Sequence, residues 1–446
     1  MMGALCSTVD KEGDEPPEGK SQDQVHIQSN THRRLQKMSQ KGLTLRHQTR
    51  RASINNPKIS TEAEYFQARA ALIQAEKDTA FDAEVIANAS EIEKRATKIV
   101  HSIRNYDWDT TYNLPPSHRR AGGLDSNNNL VVKRTAGEHF LTNVDLINQT
   151  ELFKIARKMP KGAHLHVHFN SCLSPKFLIQ QARDLPTMWI ASSHSLTKPS
   201  NFDCCRIQFN VLTDEAAMAA NTALDVKEKK ASTDSNIFSP NYTSMRWMRY
   251  KDFQHQFDWT DDTDGIHYKG VNMVEAWLEK KMVFSEDEVH GVRQTSRGYV
   301  TCATLVCNIN SSSRIWERFN YRTQMMKGLF AYESAYRNYT RACIKDFVDD
   351  NIQYAEVRPN FMQTNQLKTD DGRKMLDNER IMEILDDGVK STLAEIKQED
   401  RYFADMKVIY CTPRSFNADL TEKSLNECIE LKKKFSHLIC GKSTGL

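Results

Sequence analysis

Met159-Pro160-Lys161-Gly162-Ala163-His164-Leu165-His166-Val167-His168-Phe169-Asn170 is the stretch on which the reading of this chain turns. Pro160 and Gly162 break the preceding helical pattern, and the run from Gly162 to Phe169 predicts a buried strand. Side chains at i and i+2 of a strand point the same way. His166 and His168 therefore present two imidazoles to one side, while Val167 turns into packing on the other. Two neutral imidazoles side by side make half of a zinc site. His164 continues the alternation but lies deeper toward the start of the strand, where packing is expected. A histidine-rich strand without a metal is the competing reading of these residues taken alone.

Working outward, residues 173–183 read as a helix, and Ile315 to Asp350 as one long amphipathic helix with Trp316, Phe319, Leu329, Tyr336 and Phe347 available for burial. Ile352 to Val357 reads as a strand, 377–397 as a helix, Met406 to Cys411 as a strand and 420–434 as a helix. Ser436 to Cys440 is a fourth short apolar run. Strands alternating with helices indicate βα units and a parallel sheet, here of about four strands. The stretch 195–312, with Trp247, Trp259 and Trp277 scattered among polar loops, reads as an insertion whose tryptophans belong to a core or an interface. Upstream, Thr61-Glu62-Ala63-Glu64 is a capping-box start to one or two helices over 61–105, with Tyr65, Phe66, Ala68, Leu72, Ile73, Phe81, Val85 and Ile86 at helical spacing. Pro115-Pro116 and Gly122-Gly123 mark a loop, and a short helix covers Asn143 to Met159. The expected organisation is a disordered basic tail at 1–58, a helical extension at 59–150 and an α/β domain at 151–446.

The 446 residues carry a net charge of only +3, so nothing global calls for nucleic acid. Ten cysteines show no CxxC pair and no regular spacing, which argues against a zinc ribbon or a disulfide scaffold. Reduced thiols, including the vicinal Cys204-Cys205, suit the cytoplasm, and the N-terminus has no secretory h-region. Met2-Gly3-Ala4-Leu5-Cys6-Ser7 fits an acylation pattern on Gly3 and Cys6 once translation starts at Met2, which makes membrane tethering an alternative. Arg50-Arg51-Ala52-Ser53 resembles a basophilic-kinase site within the tail.

With its MPKG lead-in, the Met159–Asn170 stretch resembles the first barrel strand of the adenosine deaminase family, and of its growth-factor branch in particular. Tyr354-Ala355-Glu356-Val357-Arg358 resembles the next strand of that branch. Met406-Lys407-Val408-Ile409-Tyr410, followed by Arg414-Ser415, resembles the third. The resemblance covers about 150–446, interrupted by the insertion. It implies a (β/α)8 barrel of the TIM type with about the first four βα units present, and hydrolytic deamination of adenosine or a related purine nucleoside. It also implies one zinc ion held by His166, His168, a third histidine and an aspartate. A glutamate beside the third histidine would protonate the purine ring. Asn170 stands where the deaminases proper place a ribose-binding aspartate, and Phe169 where the growth-factor branch has aspartate.

The segments that carry the third histidine with its glutamate, and the late aspartate, have no match in these residues. The expectation is a chain truncated at its C-terminus, inactive as written, with no catalytic residue of its own. Gly298-Tyr299-Val300 and Gly441-Lys442-Ser443 can each be written across an intron donor sequence, which suggests translated introns. The alternatives are a non-catalytic pseudoenzyme, a membrane-tethered binding protein, or an extracellular location as in the growth-factor branch. Gly441-Lys442-Ser443 lacks the first glycine of a phosphate loop, and the cytidine-deaminase signature is absent. Glu356 and Arg358 are expected to form an ion pair inside the barrel.

Overall fold

The computed structural model describes residues 61–113, 137, 140–228, 234–261, 265–284 and 311–443. The acylation pattern at Gly3 and Cys6, the tail with its kinase-like site, the Pro115–Gly123 loop and the Gly298–Val300 junction lie outside them. The chain divides into two compact units, Thr8–Ile103 and Arg104–Leu446.

In the first unit, helix α1 (Glu62–Asp78) begins with a capping box in which Thr61 and Glu64 satisfy each other's backbone N–H, at 3.2 and 3.1 Å. Short α2 (Ala83–Ala87) and α3 (Glu91–Asp107) follow, the last turn of α3 from Arg104 onward belonging to the second unit, so the predicted helical stretch is broken twice. Its apolar positions are not buried as their spacing suggested: Tyr65, Phe66, Leu72, Phe81, Val85 and Ile86 are exposed, and Ala68 and Ile73 only half-buried.

The second unit is mixed α/β. Helices α4 (Phe140–Ile147) and α5 (Glu151–Lys158) lead into β1 (Gly162–His168). The orphan N–H groups of α5 are capped twice. Thr150 accepts from Phe153, and buried Asp107 accepts from Glu151 and Leu152 at 2.9 and 2.8 Å. Gly162 enters the strand at φ +71°, a turn that suits glycine alone. Next come α6 (Pro175–Ala182), β2 (Met188–Ser192), α7 (Pro199–Cys204), β3 (Ile207–Val211), α8 (Asp214–Glu228) and β4 (Trp247–Arg249). They are followed by α9 (Tyr250–Gln256), β5 (Asp258–Thr260), β6 (His267–Lys269) and α10 (Val271–Met282). Here the chain forms an antiparallel sheet of order β3-β2-β4, which takes in residues ahead of 195, and the hairpin β5-β6. Trp259 and Trp277 are buried with Phe202 and Phe257, as core rather than a stacking platform.

The predicted single helix over 315–350 is two, α11 (Ser311–Phe330) and α12 (Glu333–Asp349). Apolar spacing runs through the break because Tyr332 and Tyr336 are both buried. The interruption is tertiary. Tyr332 is extended (φ -143°) and bridges to Lys368, whose N–H donates to the Ala331 carbonyl at 3.0 Å.

Beyond α12 lie β7 (Ile352–Arg358), the small hairpin β8 (Leu367–Lys368) and β9 (Met375–Leu376), α13 (Asn378–Gln398), β10 (Met406–Cys411), α14 (Ala418–Lys434) and β11 (Ile439–Ser443). The main sheet has the order β1-β7-β10-β11, with every pairing parallel. Ala355 and Val357 of β7, with Met406 and Val408 of β10, are fully buried on the face that the helices cover. Tyr354, Glu356 and Arg358 alternate to the other, more open face.

Buried Asp386 of α13 accepts hydrogen bonds from Lys390 Nζ at 2.6 Å and His437 Nε2 at 2.7 Å, tying the helix to the turn before β11. Burial pushes its carboxyl up, but these two donors outweigh burial and hold it below the usual carboxylate range. A depressed folded-state pKa stabilises above the unfolded value, near 3.9, and that stability is lost as pH falls through the folded value. Asp386→Asn is expected to cost about 1.5–3 kcal/mol at pH 7, the worth of hydrogen bonds to a charged group. In urea titrations the gap should begin to narrow below about pH 4 and close only as pH falls through the lower folded value, where both forms are neutral. A gap independent of pH would contradict the assignment.

Candidate functional site

The site is built on the carboxyl end of β1. Its pairing with β7 sets the faces: His164 lies opposite Ala355, Val167 opposite Val357 and His168 opposite Arg358. Three steps on β1 are matched by two on β7, so the strand is irregular between His164 and Val167. This irregularity corrects the simple alternation read from the sequence. His164 and Val167 share the helix-covered face, where the His164 ring meets the edge of Phe347 at 5.9 Å. Both line an open cleft of about 380 Å³ with Arg157, Cys172, Asp346 and Asp350. His164 is thus packed, as expected, but by turning away from the other two histidines.

His166 and His168 remain together on the open face, with ring centres 5.8 Å apart and planes at 47°. His166 is exposed and His168 half-buried. Burial, then the neighbouring His166 and Arg358, lower the His168 pKa, favouring the neutral ring that binds metals. With nitrogen–zinc distances of about 2.0–2.1 Å, two imidazole centres on a tetrahedral ion lie roughly 5 Å apart. The observed spacing is wider by less than an ångström, which side-chain rotation on an open face closes. The pair fits zinc as half of a site. Among the described residues, no group of three or more His, Cys, Asp or Glu side chains is arranged to hold a metal ion.

Phe169 and Asn170 part company immediately after the strand. They open a 3-10 turn, Phe169–Ser171, that carries Phe169 into the core, where it is fully buried against Phe330, Tyr336 and Tyr339. Asn170 stays half-buried beside the Ser171 hydroxyl, 3.5 Å from its amide oxygen, and remains the polar group nearest the histidines in sequence. The turn is fastened by a residue that sequence reading did not single out. The Tyr339 hydroxyl accepts from the backbone N–H groups of Cys172 and Leu173, at 3.0 and 2.8 Å. Nothing local marks Tyr339 for that task, because it sits in an ordinary buried position of α12.

The expected ion pair between Glu356 and Arg358 is not formed. Glu356 accepts instead from the Tyr354 hydroxyl at 3.1 Å. Arg358 Nη1 donates to the Leu165 carbonyl at 2.9 Å. Side chains two apart on one strand face the same way, and each here finds a nearer partner across or along the sheet. Lys442 of β11 is likewise committed, donating to Ser424 Oγ at 2.9 Å and to the Thr421 carbonyl.

Comparison with known proteins agrees with the strand motifs. No protein-family profile matches this chain. Adenosine deaminase 2-A of Danio rerio is 23% identical over 303 residues, 68% of this chain and 47% of that protein. Adenosine deaminase of Phlebotomus duboscqi is 21% identical over 312 residues, 68% of this chain and 46% of that one. The chain therefore spans about half the length of the curated relatives it matches. A solved structure, that of an Arabidopsis N6-mAMP deaminase, aligns with 65% of this chain and 51% of its own at 11% identity and a TM-score of 0.28. That score is too low to transfer fold or site geometry. Among the described residues, no helix is long and apolar enough to cross a membrane.

Proposed function

We propose that residues 151–446, with an insertion at about 195–312, form the first βα units of an adenosine-deaminase-like (β/α)8 barrel, behind a tail (1–58) and a helical extension (59–150). His166 and His168 are then two protein ligands of a zinc ion that serves hydrolytic deamination of a purine nucleoside. One observation carries the reading: both imidazoles share a face at the carboxyl end of the first strand of an all-parallel sheet. Barrel enzymes hold their chemistry at that end. The similarity to curated adenosine deaminases supports the reaction class.

A zinc ion held there supplies Lewis-acid activation of the water that replaces the 6-amino group. The residues of this chain supply grip and orientation. His166 and His168 offer two of the four ligands that zinc requires. Asn170, on the turn that Tyr339 fastens, is the residue we assign to hydrogen-bond a sugar hydroxyl. Two imidazoles fill only half of a tetrahedral shell, and no third ligand joins them among the described residues, so weak zinc binding is expected. Cys172, Cys205, Cys343, Cys428 and Cys440 are free thiols, which suits a reducing setting.

Elemental analysis against chelator competition tests this reading. The wild type is expected to take up at most one zinc per chain, in the micromolar range or weaker, and His166→Ala/His168→Ala to take up none. Unchanged zinc in the double variant would remove the assignment. Conversion of adenosine to inosine that survives in the double variant would overturn the role given to the histidine pair. Nucleoside binding with no zinc at all would place the protein in the non-catalytic class.

A further inference from the structure

Arg358 closes β7 one residue beyond the interval in which β1 is irregular. A strand that slips one residue against its neighbour leaves part of its ladder unpaired, and an unpaired carbonyl needs another donor. Leu165 lies within the slipped interval, between His164 and Val167. Its carbonyl receives Arg358 Nη1 at 2.9 Å, a charge-assisted bond from the adjacent strand. Arg358 also stands directly opposite His168 in the register. Its Nε is buried without a hydrogen-bond partner, and no ion pair with Glu356 competes for the guanidinium. The bulge separates His164, on the helix side, from His166 on the open side. Whatever holds the bulge therefore sets the aim of His166 relative to His168.

We propose that Arg358 is a positioning residue for the metal strand: by bonding the Leu165 carbonyl it locks the bulge and holds His166 beside His168. The inference rests on the zinc reading above. It makes a prediction opposite in sign to plain electrostatics. A guanidinium near a cation site repels the cation, so charge alone says that its removal tightens zinc binding. Loss of an outer-shell hydrogen bond that orients a ligand weakens metal binding, typically by 10–100-fold.

Two variants separate these effects. Arg358→Gln drops the charge and shortens the reach, and Arg358→Lys keeps both charge and an N–H donor on a long stem. Zinc affinity is measured with a chromophoric chelator, and amide hydrogen exchange across residues 164–168 is measured without metal. Arg358→Gln is expected to bind zinc at least about tenfold more weakly and to exchange faster over 164–168, while Arg358→Lys stays within about threefold of wild type. Zinc binding by Arg358→Gln as tight as or tighter than wild type, or unchanged exchange over 164–168, overturns the proposal. If Arg358→Gln does not fold, the lysine variant decides, a tenfold loss counting against the proposal and retention for it. Zinc binding that ignores removal of both histidines overturns the zinc reading instead, and the metal-free exchange comparison still decides the role of Arg358.

Discussion

Phe169→Asp is expected to lower stability by at least about 4 kcal/mol, enough to unfold a domain of ordinary marginal stability. The substitution writes into this chain the aspartate that the growth-factor branch carries after its histidine pair. By residue type alone it should repair a substrate contact. The structure says otherwise, because Phe169 is fully buried and packs edge-to-face on Phe330, Tyr336 and Tyr339 at 5.7, 5.2 and 5.3 Å. Removing a buried phenylalanine costs about 3–5 kcal/mol, and leaving an unpaired carboxylate among aromatic rings adds a further penalty. The same turn holds the Tyr339 hydroxyl on the N–H groups of Cys172 and Leu173, so the damage spreads to the segment that carries Asn170. Phe169→Leu keeps the site apolar and is expected to lose about 1–2 kcal/mol. Urea titrations of both variants provide the measurement. An aspartate variant within about 1 kcal/mol of wild type would mean that Phe169 does not occupy the core.

The contrast between Phe169 and its neighbours shows what was legible. The strands at Ile352–Arg358 and Met406–Cys411 were readable because apolar runs bounded by turn signals have few other uses, whereas Gly162–His168, read as a buried strand, is a strand with no buried position. The parallel arrangement followed from the helices between them. The bulge in β1 was not readable, since His164, Leu165, His166, Val167 and His168 alternate perfectly as letters. Only the partner strand reveals the slip. The break at Ala331–Tyr332 was hidden for a similar reason, because Tyr332 and Tyr336 continue the helical stripe while Lys368 pulls the backbone out of it. Met188–Ser192 is buried at every position, so it offered no alternation to separate a strand from a helix turn. The two candidate metal ligands were visible as a spacing. The hydrogen bonds around them, from Arg358 to the Leu165 carbonyl and from Cys172 and Leu173 to Tyr339, exist only as contacts between segments far apart in the chain.

Gly328→Ala is the second change of large effect, and its sign depends on two opposed magnitudes. Gly328 lies near the end of α11, and replacing an interior helix glycine with alanine ordinarily gains about 1 kcal/mol. Here α11 crosses β3 so closely that a Cβ on Gly328 would fall within the Phe209 carbonyl group and 2.9 Å from Phe209 Cα. Those neighbours are backbone atoms of a strand paired to β2, so neither side can swing away as a flexible side chain would. Relief requires moving the helix off the sheet, which uncovers buried Phe209, Met325 and Leu329. Overpacking against rigid atoms costs about 1–3 kcal/mol and more when backbone must shift, so the clash outweighs the propensity gain. The expected result is a net loss of about 3 kcal/mol or more, read as a lower urea midpoint. Gly388→Ala is the internal comparison, because the Cβ there meets Thr340 Cγ2, a side-chain methyl, at 2.7 Å. Its cost should be smaller, and Thr340→Ser should relieve part of it by removing that methyl. If Gly328→Ala were instead neutral or stabilising, the close approach of α11 to β3 would be wrong, and with it the packing of α11 on the antiparallel sheet.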